Sequence, residues 1–206
     1  MLGLRTDLPV KPTRTLVWSD AANADLALVQ DCVAGDESAC QRLMMDHQRM
    51  VYQLGLNLLG DRQEALDLCQ EVFLRVFRML QQFRGQSSLR TWIYRIALNQ
   101  ASNRLRWWRR RHRAQQVSLE MPACRDLPEL RPSTMPDRLL QQQEVAGRVW
   151  TALEALPFDQ RAVVVLREID GLSYEEIAGS LGIAVGTVKS RLARAREQLR
   201  QTLRNE

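Results

Sequence analysis

Pro122, Pro128, Pro132 and Pro136 interrupt the middle of this 206-residue chain, and the residues around them carry little apolar periodicity. A proline inside a helix removes a backbone donor, and its ring strikes the preceding turn, so no long helix passes through this stretch. The chain is thereby divided, and each part must bury its own apolar stripes. Residues 114–137 read as a flexible linker between a first domain over 24–113 and a second over 138–206. Residues 1–23, rich in Pro and Thr, read as a disordered leader.

Both parts have the period of helices. In the first, Asn23 is placed to cap a short helix over 24–34 that stops at Gly35, and Asp36 to cap a second that runs through Leu43, Val51, Leu54 and Leu58 to Gly60. Asp61 with Glu64 is a capping-box pattern ahead of Ala65, Leu68, Cys69, Val72, Phe73, Val76, Phe77 and Leu80, a stripe at i, i+3, i+4, i+7. A fourth helix sets Leu89, Trp92, Ile93, Ile96, Ala97 and Ala101 inward, which places Trp92 in the core and leaves Tyr94 exposed. In the second part, Val145, Val149 and Leu153 line a helix ended by Pro157, and Val163, Leu166 and Ile169 line the next, capped by Asp159 and stopped at Gly171. Ser173 with Glu176 opens a short helix that ends at Gly182, and Val188, Leu192, Ala195, Leu199 and Leu203 face inward on the last. The expected fold is all-α, with two helical domains.

The formal net charge of +5 conceals a sharper pattern: residues 84–113 hold nine arginines and no acid, and residues 181–206 hold six basic residues against two acids. The segments before each patch, 24–83 and 141–180, are each net acidic by four charges. Two separate basic patches, each ending an amphipathic helical unit, point to nucleic-acid binding. Of the 29 basic residues only Lys11 and Lys189 are lysines, and arginine suits forked contacts to phosphate and guanine.

Other classes are disfavoured. No apolar run approaches the roughly 18 to 20 residues of a membrane helix, and Asp7, Pro9, Lys11, Pro12 and Arg14 stand where a signal peptide would carry its apolar core. A cytoplasmic protein without membrane insertion is expected. Cys32, Cys40, Cys69 and Cys124 form no CxxC pair and read as mostly buried thiols of a reduced compartment. Cys40 and His47 share a helical face, but no third ligand or orienting acid accompanies them. No P-loop, zinc-finger spacing or paired-carboxylate pattern is present, so neither enzymatic activity, a metal nor a cofactor is expected.

Residues 173–199 have the build of a helix-turn-helix: a short capped helix, small Ala178 at the crossing, Gly182 at the turn and a basic second helix pinned by Ile183 and Val188. Lys189, Ser190 and Arg194 stand near the start of that second helix, where side chains meet base edges in the major groove. The segments Asp67-Leu68-Cys69-Gln70-Glu71-Val72-Phe73, Phe83-Arg84-Gly85 and Thr91-Trp92-Ile93-Tyr94-Arg95-Ile96-Ala97-Leu98-Asn99 resemble region 2 of the extracytoplasmic-function sigma factors of bacterial RNA polymerase. Leu156-Pro157, the run from Gly171 through Ser173 and Glu176 to Ala178, and Val185-Gly186-Thr187-Val188-Lys189-Ser190-Arg191-Leu192 with Ala195-Arg196 resemble its region 4.

The resemblance implies a promoter-specificity subunit that binds core RNA polymerase through the β′ coiled coil and the β flap, recognises −35 and −10 elements of promoter DNA, and is held by an anti-sigma factor. It assigns Asp67, Gln70, Glu71, Phe73 and Arg75 to polymerase docking, although Asp67 and Glu71 also read as a solvated i, i+4 pair and Phe73 as core. It assigns Gly85, Gln86, Ser87, Arg90, Arg95, Asn99, Asn103, Arg104 and Arg106 to the −10 element, and Thr187, Lys189, Ser190, Arg191, Arg194 and Arg196 to the −35 element. Trp107 and Trp108 depart from the family pattern; they either stack on bases or pack at the domain edge. The alternative function is a free-standing helix-turn-helix transcriptional regulator, which would need neither the docking helix nor Asn99.

Overall fold

The computed structural model describes residues 15–114 and 147–204, and every regular element among them is helical. The first unit consists of α1 (Thr15–Val33), α2 (Glu37–Leu59), α3 (Arg62–Met79), a 3-10 turn (Leu80–Gln82) and α4 (Leu89–Ala114). The second holds α5 (147–154), α6 (Phe158–Val164), a π turn (Val165–Ile169), α7 (Tyr174–Leu181) and α8 (Val185–Arg204). No helix among the described residues is long and apolar enough to cross a membrane. The leader through residue 14, the linker from 115, and Val145 and Cys124 lie outside the described residues.

Three of the expected caps form, while Asp159 lies inside the first turn of α6, whose N-cap is Pro157 without a side-chain bond, because the Asp159 carboxylate is drawn to Arg191. Asp36 accepts from the Ser38 and Ala39 amides at 2.8 and 3.3 Å, and Asp61 from the Glu64 amide at 2.8 Å. Ser173 and Glu176 complete a reciprocal capping box at α7, with contacts of 2.8 and 3.2 Å. Gly182 closes α7 at φ +67°, the left-handed geometry that turns the chain into α8.

Five further expectations are corrected. The first helix begins at Thr15 and not after Asn23; Ala21, Ala22 and Ala24 are strong helix formers that carry it through Asn23. Tyr94 is 1% exposed, because the second unit packs over it. Ile169 is 51% exposed: the π turn adds a residue to that stretch and rotates Ile169 out of the stripe set by Val163 and Leu166. Val149 is exposed, and the inward face of α5 is set by Trp150 and Leu153. Phe77 stands at the rim of its helix at 36% exposure. Trp92, in contrast, packs partly buried against the core, edge-on to Phe83 at 5.6 Å.

The two units share one apolar core, which runs from Leu43, Leu54 and Val72 of the first to Leu166, Ile177 and Leu192 of the second. At one end of the seam the buried Arg161 donates to Leu58 O at 2.8 Å and Glu154 O at 2.7 Å, so one guanidinium serves the carbonyl ends of α2 and α5. A cation at a helix C-terminus meets the negative end of the dipole and the orphan carbonyls together. Gly60 closes α2 at φ +77°, and a Cβ there would lie 2.9 Å from the Trp150 ring. At the other end α7 lies across α4.

Candidate nucleic-acid interface

The start of α4 is fixed from two directions. Ser88 Oγ accepts from the Thr91 amide at 3.1 Å as the cap, and Asp25 of α1 accepts from the Leu89 amide at 2.7 Å. Asp25 is a positioning residue that sequence reading missed; an acid within a helix gives no sign that it will cap another 64 residues away. Before this cap lies the turn of Gly85, with Gln86 exposed and Ser87 half-buried. Arg90, Asn99, Asn103 and Arg106 are exposed along α4, and Arg106 donates to Asn103 Oδ1 at 2.6 Å.

Two arginines of α4 expected at DNA are engaged elsewhere. Arg104, 18% exposed at its side chain, pairs with Glu64 at 3.0 Å and Glu71 at 3.3 Å, reaches Asp67 at 4.0 Å and donates to Glu64 O at 3.0 Å. It locks α4 to α3. Burial, aided by Asp61, Asp67 and Glu71, raises the Glu64 pKa against the pull of Arg104. Arg95 is exposed, yet its guanidinium donates to Gly179 O of α7 at 3.2 and 2.7 Å.

Beneath Arg95 the seam holds an ionisable cluster. Arg90 donates to the Tyr94 hydroxyl at 3.4 Å, and that hydroxyl hydrogen-bonds the Asp170 carboxyl. Burial pushes Asp170 up to about 6, against Tyr94 and Arg90, which both favour its charged form. Burial also raises Tyr94 far above the usual phenol range.

On α3, Gln70, Glu71 and Arg75 are exposed and Asp67 is half-buried, accepting from Gln63 at 3.1 Å. Phe73 is 6% exposed and belongs to the core, so it supports this face from behind. The apolar side chains on the outside are Leu66, Leu74 and Phe77. Leu74 and Arg75 border a shallow depression with Glu71, Arg78, Met79 and Gln100.

Of the α8 residues assigned to the −35 element, Lys189, Ser190, Arg194 and Arg196 are exposed, and Thr187 and Arg191 are half-buried. Ser190 Oγ donates to Thr187 O at 3.0 Å, and Lys189 lies 5.6 Å from the Tyr174 ring. Arg191 pairs with Asp159 at 3.0 Å and Arg196 with Glu168 at 2.5 Å; both tie α8 to the α6 side of the motif. The three described cysteines form no metal cluster: Cys40 Sγ donates to Cys32 O at 3.7 Å, burial pushes Cys32 up to about 12 and raises Cys69, and His47 is lowered by burial. No cluster among the described residues is suited to a metal ion.

Comparison with known proteins places both units. Residues 43–113 match the family described as Sigma-70 region 2, and residues 146–199 the family described as Sigma-70, region 4. The chain is 37% identical over 180 residues to the RNA polymerase sigma-H factor of Pseudomonas aeruginosa, spanning 87% of this chain and 93% of the relative. It is 38% identical over 176 residues to the ECF RNA polymerase sigma-E factor of Escherichia coli K12, spanning 85% and 92%. Among solved structures it resembles the sigma factor RpoE of Bartonella quintana in complex with the anti-sigma factor NepR, with a TM-score of 0.61 and 25% identity over 80% of this chain and 96% of that one. CnrH in complex with the cytosolic domain of CnrY shares the fold, with a TM-score of 0.64 at 24% identity over 89% and 99%.

Proposed function

The chain belongs to the extracytoplasmic-function sigma factors of bacterial RNA polymerase, and from that premise we propose how its helices divide the work of starting transcription. The first domain, over 24–113, docks on core polymerase and opens the −10 element; the second, over 138–206, reads the −35 element as duplex. The polymerase performs the chemistry, and this subunit contributes binding energy.

Docking falls to the outer side of α3. Gln70, Glu71 and Arg75 surround exposed Leu74, a charged rim about an apolar centre, which suits the coiled coil of β′. Opening the −10 element without ATP requires that unstacking, a few kcal/mol, be offset by a pocket for the freed base and by contacts to its strand. The turn at 85–88 and exposed Asn99 offer the polar groups, since an amide presents donors and an acceptor to a base edge. Arg90 and Arg106 stand beside them for phosphate. The observation that carries the reading of α8 is the exposure of Lys189, Ser190 and Arg194 in its first half, while Arg191 and Arg196 are paired with Asp159 and Glu168. A protein repressor of the anti-sigma class is the expected partner, as it is for RpoE of Bartonella quintana.

One experiment separates docking from opening. Glu71→Arg should weaken capture of core polymerase while leaving −35 duplex binding intact, because a reversed interface charge adds repulsion. Asn99→Ala should leave holoenzyme assembly intact but reduce permanganate reactivity of −10 thymines and relax selectivity at one position. Equal reactivity at every −10 substitution for both proteins would make Asn99 structural. Promoter-specific binding by the chain alone, with no capture of polymerase, would favour the free-standing regulator.

A further inference from the structure

Two thiols at the corner between α1 and α2 take no part in docking or promoter reading. Cys32 lies in the last turn of α1 and Cys40 in the first turn of α2, on either side of the bend at Gly35. Cys32, 7% exposed, and half-buried Cys40 are within hydrogen-bonding reach of each other, and Cys40 Sγ also donates to Cys32 O at 3.7 Å. The bend from Val33 through Ser38 is exposed throughout, so a small solute comes up to Cys40 from water while Cys32 stays in the core. Burial, then Cys40 itself and the carboxylates of Asp36 and Asp31, pushes Cys32 up to about 12. That sulfur keeps its proton until the sulfur beside it becomes electrophilic.

Helix α1 connects this corner to the turn at 85–88. Asp25, Val29 and Cys32 recur at four and three residues and so share one face of the helix. About 10 Å along the axis from Cys32, Asp25 accepts from the Leu89 amide at 2.7 Å. Leu26 beside it packs so closely that a Cβ on Gly85 would lie 3.0 Å from its Cδ1. A helix moves as a rod, so a displacement of Cys32 is carried to both contacts. We propose that Cys32 and Cys40 form a redox-responsive dithiol, which a peroxide closes to a disulfide and which, once closed, loosens the hold of α1 on the start of α4. The Cys40 sulfur attacks one peroxide oxygen, the O–O bond breaks, and the leaving hydroxide takes the Cys40 proton as water, giving a sulfenic acid. The Cys32 sulfur then attacks the sulfenic sulfur; the S–O bond breaks as S–S forms, and hydroxide leaves with the Cys32 proton as a second water. The two thiols give up two electrons and the peroxide gains them. Proximity of the sulfurs in the resting fold makes the second step intramolecular, which offsets the low acidity of Cys32. Closure draws the sulfurs inside van der Waals contact and removes the S–H donor from Cys32 O, so the end of α1 shifts toward α2. A reducing compartment holds the pair as thiols and makes the disulfide transient. Any effect on the −10 element rests on the assignment of the 85–88 turn made above; the disulfide and the movement of Asp25 do not.

The test treats the full chain with hydrogen peroxide. No lysine or arginine stands between Arg14 and Arg42, so trypsin leaves both cysteines on one peptide. That peptide should become about 2 Da lighter, the mass of two hydrogens, and dithiothreitol should restore it. Cys69, half-buried like Cys40 and donating to Gln48 O at 3.7 Å, is the internal reference and should still react with maleimide. The Leu89 amide should exchange with deuterium about 10-fold faster in the oxidised chain, as expected for loss of one hydrogen bond, and at the parent rate in peroxide-treated Cys40→Ser. Holoenzyme assembled from the oxidised chain should show permanganate reactivity of −10 thymines about 3- to 10-fold lower for the same loss, with capture of core polymerase unchanged and full recovery on reduction. A sulfinic acid on Cys40 with Cys32 still a thiol, two unreacted thiols, or a disulfide between two copies would overturn the dithiol. A disulfide within the chain that leaves Leu89 exchange unchanged would overturn its hold on α1, as would equally fast exchange in Cys40→Ser. Faster exchange in the parent alone, with permanganate reactivity unchanged, would support the dithiol and overturn the assignment of the 85–88 turn to the −10 element.

Discussion

Asp170→Asn probes the seam between the two helical units at its most sensitive point. One carboxyl oxygen of Asp170 is shielded from water and has no hydrogen-bond partner, and burial raises its pKa from 3.8 to about 6 although Tyr94 and Arg90 both favour the charged form. Desolvation therefore wins over both attractions. At 1.36 kcal/mol per pKa unit the shift corresponds to a ceiling of about 3 kcal/mol, and solvent screening of this part-exposed side chain reduces it to about 1–2 kcal/mol. The folded chain holds more protons than the unfolded one between the two pKa values, so stability from this group is greatest below pH 4. It falls as pH rises through 6 and is level above about 7. Asparagine keeps the shape and removes the charge. Urea denaturation followed by helical circular dichroism should show Asp170→Asn more stable than the parent by about 1–2 kcal/mol at pH 7.5, with the gap closing toward pH 4.5. Parallel stability curves across that range would refute the burial of an ionised carboxylate. An ordinary titration near 3.8 for Asp170 by NMR would show that the seam is open in solution.

Other outcomes follow from the same geometry. Arg161→Ala strands the carbonyl ends of α2 and α5, and recovery of guanidinium desolvation offsets part of the loss, leaving a net cost of about 2–4 kcal/mol in urea denaturation. Lysine in its place should recover less than half, because it cannot span two carbonyls in a fixed fork. Gly182→Ala places a Cβ in left-handed backbone and should cost about 1–2 kcal/mol by thermal unfolding, with the folded fraction keeping its −35 affinity. Arg194→Ala should cost about 1–3 kcal/mol on the preferred −35 sequence and less on random duplex in gel-shift titrations; equal losses would make Arg194 a phosphate contact.

Much of this arrangement was legible in the residues, and what was not has a common cause. Asp36, Asp61 and Ser173 cap where their spacing placed them, since a cap is a local contact within three residues. The helix-turn-helix was equally readable from Gly182 and the stripe of Val188, Leu192 and Ala195. The seam was not. Arg95 and Arg161 reach backbone carbonyls of Gly179 and Leu58, acceptors that every residue carries, so no side-chain pattern marks them. Periodicity along α4 sees one buried face and assigned Tyr94 to water, although a second unit covers it. Ile169 was misplaced because a period of 3.6 cannot anticipate a π turn.

The same contacts change what the basic patches can contribute at a promoter. Counting arginines treats each as a phosphate ligand, but Arg104 is held by three carboxylates and Arg95 by Gly179 O. These two differ in how readily they exchange. Arg104 is 18% exposed, and freeing it would leave a partly buried acidic cluster without its cation, so it stays in the fold. Arg95 is exposed and faces only a neutral carbonyl, a weaker acceptor than a phosphate. On α8 the exposed pair of Arg196 with Glu168, 52% and 46% exposed, is worth no more than about 1 kcal/mol and yields easily. On the function proposed above, the first unit meets DNA with the exposed Asn99, Asn103 and Arg106 of α4, and Arg95 joins them only if the units separate. On that reading the separation solvates Asp170, so DNA binding and the ionisation of the seam are linked: the carboxyl loses its proton on separation between about pH 4 and 6, and separation is favoured as pH rises through that range.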